Sequence, residues 1–356
     1  MRDVLSVEKR LYCDVVMASF SWSSAPKPVV ALAPMAGVTD ASYRRFIKRL
    51  APETIVYSEF LSTDAIHFGA RKTLSMLAFD PAVERPFIVQ IFGDDPGHFL
   101  SAAKVIEQLG ADGIDINMGC PAAKVVSSCH GAALLKDADL AAELVHATKK
   151  AVSIPVSVKT RLGWNTKDGL IAFCTKLVEA GADALAVHGR RYCDKFTGAA
   201  DWEPIYELKR ALPNIPVIGN GDIATAADAV AKIGNLDGVM VGRGTWGNPW
   251  LMADITEALR CHASGQRAAP LRQGFEGQAD SEQRNTVATM TFTDKIPFIL
   301  EHCTLAVDVK GEKRGMLEMR RHLSSYVKGF PGAADLRMKL MQVERLDDVR
   351  ALLVAV

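Results

Sequence analysis

What this sequence lacks excludes several kinds of protein. The seven cysteines are odd in number and include no CxxC pair, which disfavours a disulfide framework or zinc ribbon and makes a reduced cytoplasmic protein the expectation. No metal site is predicted. No apolar run reaches the roughly 18 residues that span a bilayer. Residues 1–27 lack the uninterrupted apolar core of a signal peptide and are interpreted as an N-terminal extension, within which Met17 offers a second possible start.

The sequence also has almost no net charge, and its composition is that of a globular protein. The formal charge is +1 over 356 residues, so any surface for nucleic acid must be a local basic patch. Hydrophobic residues make up 49% and charged residues 23%, which is far from a disordered composition. This length suits one large domain and a smaller one.

Short β-branched runs recur, and each is followed by a helical pattern. The runs predict strands at 29–33, 55–59, 87–92, 113–117, 156–161, 184–188, 217–220 and 239–242. Helices are predicted between them, for example at 96–109, 138–151, 166–180 and 225–233, and Gly110, Gly181 and Gly234 are placed as C-caps. Eight consecutive βα units over residues 28–260 predict a (β/α)8 TIM barrel of the α/β class, with a doubly wound sheet as the structural alternative.

Side-chain alternation within two strands favours the barrel. Ser157, Lys159 and Arg161 share one face of their strand, and in the strand at 184–188 two alanines share a face with His188. Small or polar side chains would then point inward. The polar residue comes last on each strand, at the C-terminal mouth where barrel enzymes hold their sites.

The pattern changes after residue 260. Residues 261–293 are rich in Gly, Gln, Ser and Arg and predict a linker or mobile insertion. Residues 294–356 predict a small all-helical domain, because apolar residues recur there at helical spacing. This domain carries more cations than acids around Lys313, Arg314, Arg320 and Arg321, which fits either a solvated helix face or contacts with RNA phosphates.

A cysteine stands just beyond the fourth predicted strand, in the sequence Asp-Ile-Asn-Met-Gly-Cys-Pro (115–121). Gly119 and Pro121 make this a stiff turn at the barrel mouth. Its position beside Asp115 and Asn117 favours chemistry over core packing. As a nucleophile Cys120 would need a neighbouring base, whereas as an acid it would use a thiol that is protonated at neutral pH.

Glycine-rich turns follow the seventh and eighth predicted strands. Barrel enzymes commonly bind a phosphate at these two positions through backbone N–H groups, and Arg243 would add a cation. Lys159 and His188 are predicted to face the same corner. A cation there could stabilise an anionic reduced flavin, and the alternative for His188 is an ordinary core histidine.

Taken together, these motifs resemble the signatures of the tRNA-dihydrouridine synthases, most closely the B-type bacterial branch. The matching segments run in order along the chain: Ala-Pro-Met-Ala-Gly-Val-Thr-Asp (33–40), Val-Gln-Ile-Phe-Gly (89–93), Asp-Ile-Asn-Met-Gly-Cys-Pro-Ala (115–122), Lys-Thr-Arg-Leu-Gly-Trp (159–164), Val-His-Gly-Arg (187–190), Asn-Gly-Asp-Ile (220–223) and Gly-Arg-Gly (242–244).

The resemblance implies a flavoenzyme that reduces a uridine of tRNA to 5,6-dihydrouridine, with Cys120 as the general acid. It implies a flavin site that includes His188 and is built from Pro34, Met35, Ala36, Gln90, Lys159, Asn220, Gly221, Asp222, Gly242 and Arg243 around FMN. It makes Asn117 and Arg161 the uridine contacts, and Lys313, Arg314, Arg320 and Arg321 the contacts to tRNA. NADPH is the expected reductant and NADH stays open, since no GxGxxG motif with a downstream acid is present. No obligate protein partner is expected.

Three features depart from the family pattern, and two other functions remain as alternatives. The N-terminal extension and residues 262–293 leave the boundary of the RNA-binding domain open, and the unusual segment 127–131 is expected to cover the site and affect the choice of uridine. One alternative is an FMN barrel that acts on a free pyrimidine, like a dihydroorotate dehydrogenase. The basic C-terminal helices count against it. The other is a non-catalytic RNA-binding module, which would not need Cys120 or Lys159.

Overall fold

Parallel strands close into a barrel in the computed structural model, which describes residues 20–122, 126, 130–265 and 290–354. The strands are β1 Val29–Leu32, β2 Val56–Tyr57, β3 Leu61–Ser62, β4 Phe87–Phe92, β5 Gly113–Met118, β6 Val156–Arg161, β7 Ala184–His188, β8 Val217–Asn220 and β9 Gly238–Val241. The short β2 and β3 both pair with β4, so together they occupy one position. The order β1-β9-β8-β7-β6-β5-β4-β2 is closed by a parallel bridge from Ala31 to Ile55.

Helices alternate with the strands and then continue alone. Those of the barrel region are α1 Ala41–Leu50, α2 Thr63–His67, α3 Arg71–Ser75, α4 Pro96–Gln108, α5 Ala138–Ala151, α6 Leu170–Glu179, α7 Glu203–Ala211, α8 Ala226–Ile233 and α9 Leu251–Ser264. The C-terminal helices are α10 Phe292–Lys310, α11 Glu312–Tyr326, α12 Ala333–Leu340 and α13 Leu346–Val354. Short 3-10 turns lie at Gly131–Lys136 and Arg243–Thr245. No helix of the described residues is both long and apolar enough to cross a membrane.

The barrel has two apolar layers, and they follow the alternation of its strands. Val156 and Val158 point outward into the core between strands and helices. Ala184 and Ala186 point inward, where Trp22 and Ala25 pack against the interior residues. The predicted barrel and its inward face of small and polar residues are therefore confirmed. Trp22, which lies within the expected N-terminal extension, is only 3% exposed and packs against the barrel.

The C-terminal helices form their own core and dock on α1. Ile299, Met316 and Tyr326 belong to this core, at positions that the helical spacing predicts. At the junction the ring of His302 stacks on Phe46, with ring centroids 4.9 Å apart. Lys310 Nζ lies 2.6 Å from a carboxylate oxygen of Asp40, the residue that caps α1. The helical domain is thus tied to the barrel by aromatic packing and by a largely buried ion pair.

Most predicted element bounds agree with the structure to within one or two residues. The second strand is shorter than predicted and is divided in two. The helix predicted at 166–180 begins only at Leu170, after Gly169 at its N-cap. The linker predicted from residue 261 starts within α9, which continues to Ser264. Residues 1–19, 127–129 and 266–289, which contain most of the unusual segments, lie outside the described residues.

Candidate active site at the barrel mouth

The residues predicted for the site lie on adjacent strand ends around the C-terminal mouth. Gln90 is in β4, Lys159 and Arg161 are in β6, and the predicted cofactor contacts at 34–36, 221–222 and 242–243 follow β1, β8 and β9. The strand register pairs Arg161 with His188, and His188 with Asn220. Because parallel strands all end at the same rim, the fold gathers these side chains into one site.

Cys120 lies two residues beyond β5 on a turn held by its neighbours. The backbone N–H groups of Cys120 and Gly119 donate to Asn117 Oδ1, at 2.9 Å and 3.1 Å. The carbonyl of Gly119 accepts a hydrogen bond from Arg161 Nε at 2.7 Å. The thiol is unbridged and partly exposed. Sγ is therefore held at the rim, where it can reach a molecule bound at the mouth.

Lys159 supplies a cation at the centre of the mouth. Its ammonium donates to Asn220 Oδ1 at 3.2 Å, and Asn220 Nδ2 in turn donates to the carbonyl of Met240 at 2.7 Å. Burial, with a further contribution from Arg161, lowers the pKa of Lys159 to about 8, while Asp115 and Cys120 act in the opposite direction. Lys159 therefore remains mostly protonated at neutral pH and can stabilise negative charge on a ligand.

His188 stands at the end of β7, with its side chain beside the turn after β8. Its Nε2 lies 3.3 Å from a guanidinium nitrogen of Arg190. Burial, followed by the nearby cations Lys159 and Arg161, lowers the pKa of His188 to about 2. The imidazole is accordingly neutral over the physiological range, where it can donate or accept a hydrogen bond but adds no charge.

The turn after β8 has a conformation that suits close approach of a ligand. Gly221 has φ +130°, and a Cβ there would stand 2.8 Å from the Cβ of Ala200. Asp222 has φ 49° and is held by two hydrogen bonds from Arg190, of 2.8 Å and 2.7 Å. Burial opposes ionisation of Asp222, but bonds from Arg190 and the Ala200 N–H outweigh it and lower the pKa of this carboxyl.

The turn after β9 completes the corner. A Cβ on Gly242 would lie 3.3 Å from Ala33 Cβ and 3.5 Å from Met35 Sδ, so the turns after β1 and β9 are in contact. The side chain of Arg243 is 58% exposed. The glycine turn and an exposed guanidinium thus stand together at the place where barrel enzymes commonly bind phosphate.

Arg161, a predicted uridine contact, is 2% exposed and is bonded mainly to backbone. Besides the carbonyl of Gly119, its guanidinium donates to the carbonyls of Arg191 and Lys195, at 3.1 Å and 2.8 Å. It therefore connects the Cys120 turn with the loop after β7. The ring of Phe196 in that loop is 52% exposed and lies 5.4 Å from the Arg161 guanidinium carbon.

The four cations predicted to contact tRNA are in different surroundings on α11. Lys313 is exposed, and Arg314 pairs with Glu318 at 2.9 Å. Arg320 donates to the carbonyl of Val343 at 3.0 Å, inside its own domain. Arg321 reaches the barrel, where it donates to the carbonyl of Gly37 at 3.2 Å. The last contact joins the helical domain to the loop after β1.

Sequence reasoning assigned no role to two residues of this site. Arg190 holds Asp222, and Phe196 lies at the rim beside Arg161. Deeper in the barrel and outside the site, Ser157 bonds the buried carboxylate of Asp115, in line with the alternation along β6, which points Ser157 inward. The partners of Arg190 and Phe196 lie on other elements of the fold, and no local pattern predicts such contacts. No group of three or more His, Cys, Asp or Glu suited to a metal ion occurs in the described ranges.

Comparison with known proteins decides the family. The family model described as Dihydrouridine synthase (Dus) matches residues 31–356. This chain belongs to the dihydrouridine synthase family. The resemblance read from the motifs is therefore confirmed, and the enzyme is an oxidoreductase of that family. Family membership does not favour the alternative of a barrel acting on a free pyrimidine.

Curated relatives span most of the chain. A probable tRNA-dihydrouridine synthase of Rickettsia bellii is 38% identical over 312 residues, 86% of this chain and 88% of its own. A tRNA-dihydrouridine synthase B of Pseudomonas aeruginosa is 38% identical over 325 residues, 90% of this chain and 89% of its own. A solved structure of a mandelate oxidase is 17% identical, with a TM-score of 0.44 over 67% of this chain and 71% of its own. At this identity and TM-score the likeness supports no statement about function.

Proposed function

We propose that this enzyme reduces the C5–C6 double bond of a uridine in tRNA, with FMN at the barrel mouth, NADPH or NADH as the reductant, and Cys120 as the acid. The observation that carries the proposal is the placement of the Cys120 thiol on the rim, on a turn bonded to Arg161, with Lys159 close by. The relatives described above are named as acting on tRNA. A tRNA substrate makes the cytoplasm the expected compartment.

The residues at the mouth fit FMN. Gly221 and Gly242 leave room where a Cβ would meet neighbouring atoms within 2.8–3.5 Å. Arg243 and the backbone N–H groups of the turns after β8 and β9 would bind the phosphate. Asn220 is the single hydrogen-bond partner of Lys159 in the described part of the chain, which leaves two ammonium N–H donors for the flavin ring. When bound, FMN takes electrons from the reduced nicotinamide and supplies a hydride to C6 of the uracil.

The chain itself supplies the proton for the other carbon. Cys120 transfers the proton of its Sγ–H to C5, so that each carbon of the former double bond gains one hydrogen. The resulting thiolate lies near two cations, since Cys120 acts on the pKa of both Lys159 and Arg161. Asn117 and Arg161 would contact the uracil edge, and Phe196 offers an exposed ring beside it. A uridine in folded tRNA must leave its base stack to reach this depth.

The helical domain would hold the rest of the tRNA. Of the four predicted contacts, Lys313, Arg314 and Arg321 are exposed, and Arg321 also stands at the junction with the loop after β1. Phosphate contacts of this kind add affinity without reading sequence. In this arrangement the helical domain binds the RNA while the barrel carries out the reduction.

The first experiment is the visible spectrum of the purified protein, recorded anaerobically before and after NADPH. Flavin bands that bleach with NADPH are expected, and analysis of tRNA nucleosides after reaction should then show dihydrouridine. A protein that is colourless and does not take up added FMN would remove the cofactor and the oxidoreductase function with it. Replacing tRNA with free uridine or orotate tests the small-pyrimidine alternative in the same assay.

The acid is tested with Cys120→Ala, using Cys193→Ala as the matched control because Cys193 is an exposed thiol on another loop. Loss of a general acid typically costs about 10²–10⁴-fold in rate. Cys120→Ala should therefore lose tRNA reduction, while keeping FMN, flavin reduction by NADPH and tRNA affinity. Nucleoside analysis of the tRNA would measure the rate. Reduction of tRNA at the wild-type rate in Cys120→Ala would refute the assignment.

A further inference from the structure

One buried acid at the barrel mouth has no part in the mechanism proposed above. Asp115 lies in the middle of β5, is 0% exposed, and points into the barrel on the same face as Asn117. The register sets it directly between Gln90 of β4 and Ser157 of β6. A carboxylate without water needs hydrogen-bond donors on both oxygens, and these two neighbours supply them.

Both oxygens of Asp115 are occupied. Gln90 Nε2 donates to Oδ2 at 2.7 Å, and Ser157 Oγ donates to Oδ1 at 2.6 Å. Burial raises the pKa of Asp115 to about 6, against the opposing effects of these two bonds and of Lys159. An ionised group at this depth is costly to maintain, so an apolar residue of similar size would make a more stable core.

The bond to Gln90 continues towards the reactive turn. Gln90 Oε1 accepts from Asn117 Nδ2 at 2.9 Å. Asn117 Oδ1 then accepts the backbone N–H groups of Gly119 and Cys120. Two side-chain amides therefore connect the carboxylate to the residue that carries the thiol.

The groups at the two ends of this chain of hydrogen bonds set the direction in which each bond is donated. A carboxylate only accepts and a backbone N–H only donates, whereas a side-chain amide has a donor side and an acceptor side of similar shape. With an acceptor at one end and donors at the other, both amides have one orientation that satisfies every bond. Removal of the carboxylate leaves the Gln90 NH2 without its acceptor and loosens Gln90 and Asn117 together.

The N–H groups of the turn depend on this chain of hydrogen bonds for their acceptor. Its carbonyls have other partners: Arg161 Nε binds the carbonyl of Gly119, and the N–H of Ala132 binds that of Cys120 at 3.2 Å. For the two N–H groups, Asn117 Oδ1 is the acceptor found in the described part of the chain.

We propose that Asp115 is a positioning residue for Cys120: its buried carboxylate, acting through Gln90 and Asn117, fixes the turn that presents the thiol. The geometric part of this inference concerns the turn alone. The catalytic part rests on the proposed function, because it takes Cys120 as the acid in tRNA reduction.

The test compares three variants of the full FMN-loaded chain. Asp115→Val removes the acceptor and keeps the core filled. Asp115→Asn is the conservative rescue, since its amide oxygen can face Gln90 while its NH2 faces Ser157 Oγ. Ser157→Ala is the matched control, because it removes the other bond to the same carboxylate but has no connection to the turn. Hydrogen exchange at the amides of Gly119 and Cys120, read by mass spectrometry, reports on the turn, and stopped-flow spectroscopy follows flavin reduction by NADPH and reoxidation by tRNA.

In Asp115→Val, amide exchange at Gly119 and Cys120 should be on the order of ten-fold faster, and reoxidation of the flavin by tRNA on the order of ten-fold slower. The reason is that a hydrogen bond to a charged group is worth about 1.5–3 kcal/mol. Flavin reduction by NADPH should stay within about two-fold, a change that corresponds to well under 1 kcal/mol. Asp115→Asn should recover most of both losses, and Ser157→Ala should resemble the wild type.

Three results would overturn the proposal: unchanged exchange in folded Asp115→Val, unchanged reoxidation by tRNA, or equal slowing of both half-reactions with loss of FMN, which would make Asp115 a core residue only. If Asp115→Val does not fold, the wild type still decides the point, because unprotected amides at Gly119 and Cys120 would contradict the chain of bonds. If the wild type does not reduce tRNA, the proposed function fails, while the exchange comparison still tests the positioning of the turn.

Discussion

Replacing Gly221 by alanine tests whether the turn after β8 holds the cofactor phosphate. At φ +130° this position is outside the regions that residues with a side chain normally occupy, and such strain costs about 1–3 kcal/mol. The added Cβ would also stand 2.8 Å from Ala200 Cβ and 3.0 Å from His188 Cδ2. Ala200 is bonded through its N–H to Asp222 and cannot retreat easily. The turn itself must therefore shift.

A matched variant separates strain from displacement of the turn. Gly329 also has positive φ, at +84°, but no atom lies within 4 Å of a Cβ built there. Gly329→Ala should lose about 1–2 kcal/mol of unfolding free energy from the left-handed backbone alone and leave FMN affinity unchanged. Gly221→Ala should lose at least as much stability and also bind FMN about 10–100-fold more weakly, which corresponds to about 1.4–2.7 kcal/mol of binding free energy.

The two quantities are measured separately on apo protein. Urea unfolding gives the free energy of unfolding, and quenching of flavin fluorescence on titration gives Kd. If Gly221→Ala binds FMN as tightly as Gly329→Ala does, the turn after β8 does not hold the phosphate.

Two further predictions concern buried ion pairs. Lys310→Met should cost about 3 kcal/mol of unfolding free energy by leaving Asp40 buried without its cation, whereas exposed Lys313→Met should cost little. Burial opposes the ionisation of Asp40, but Lys310 outweighs it and lowers the pKa of Asp40 below its usual 3.8. The stability from this pair is therefore present above about pH 4 and is lost as the pH falls. Acid unfolding, followed by circular dichroism, should have its midpoint at higher pH in Lys310→Met, and an unmoved midpoint would contradict the pairing. Glu84→Gln leaves Arg44, which is 1% exposed, without its carboxylate partner at 2.7 Å. Urea unfolding should show that the free energy of unfolding falls by about 3–5 kcal/mol. A fall of less than about 1 kcal/mol would show that Arg44 finds another partner.

The barrel could be predicted from the sequence because each βα unit carries its own signals. A β-branched run followed by a helical pattern repeats eight times, three of the helices are followed by a capping glycine (Gly110, Gly181 and Gly234), and each signal is local in the sequence. The alternation in β6 also placed Lys159 and Arg161 inside the barrel, as the structure has them. The split second strand is not readable in this way, because the short β2 and β3 are defined by their pairing with β4.

The site was predictable as a set of positions, but its internal bonds were not. Strand parity indicates that Asp115 and Ser157 both point inward. It does not give the register that sets Ser157 opposite Asp115, and without this register no chain of bonds to Cys120 can be drawn. Arg190 is similar, since its bond to Asp222 joins two loops whose relative position comes only from the closed barrel.

The surroundings of the cations on α11 could not be predicted from the sequence either. The sequence presents Arg320 and Arg321 as an adjacent pair suited to RNA phosphates. In the fold their side chains diverge, because adjacent residues on a helix point about 100° apart. Arg320 turns into its own domain and binds the carbonyl of Val343, while Arg321 binds the carbonyl of Gly37 on the barrel. A guanidinium that already donates to backbone carbonyls gives up those bonds to reach a phosphate. In the proposed complex with tRNA we therefore expect this helix to contribute less affinity than its count of cations suggests, with exposed Lys313 as the cation that a phosphate can reach at least cost.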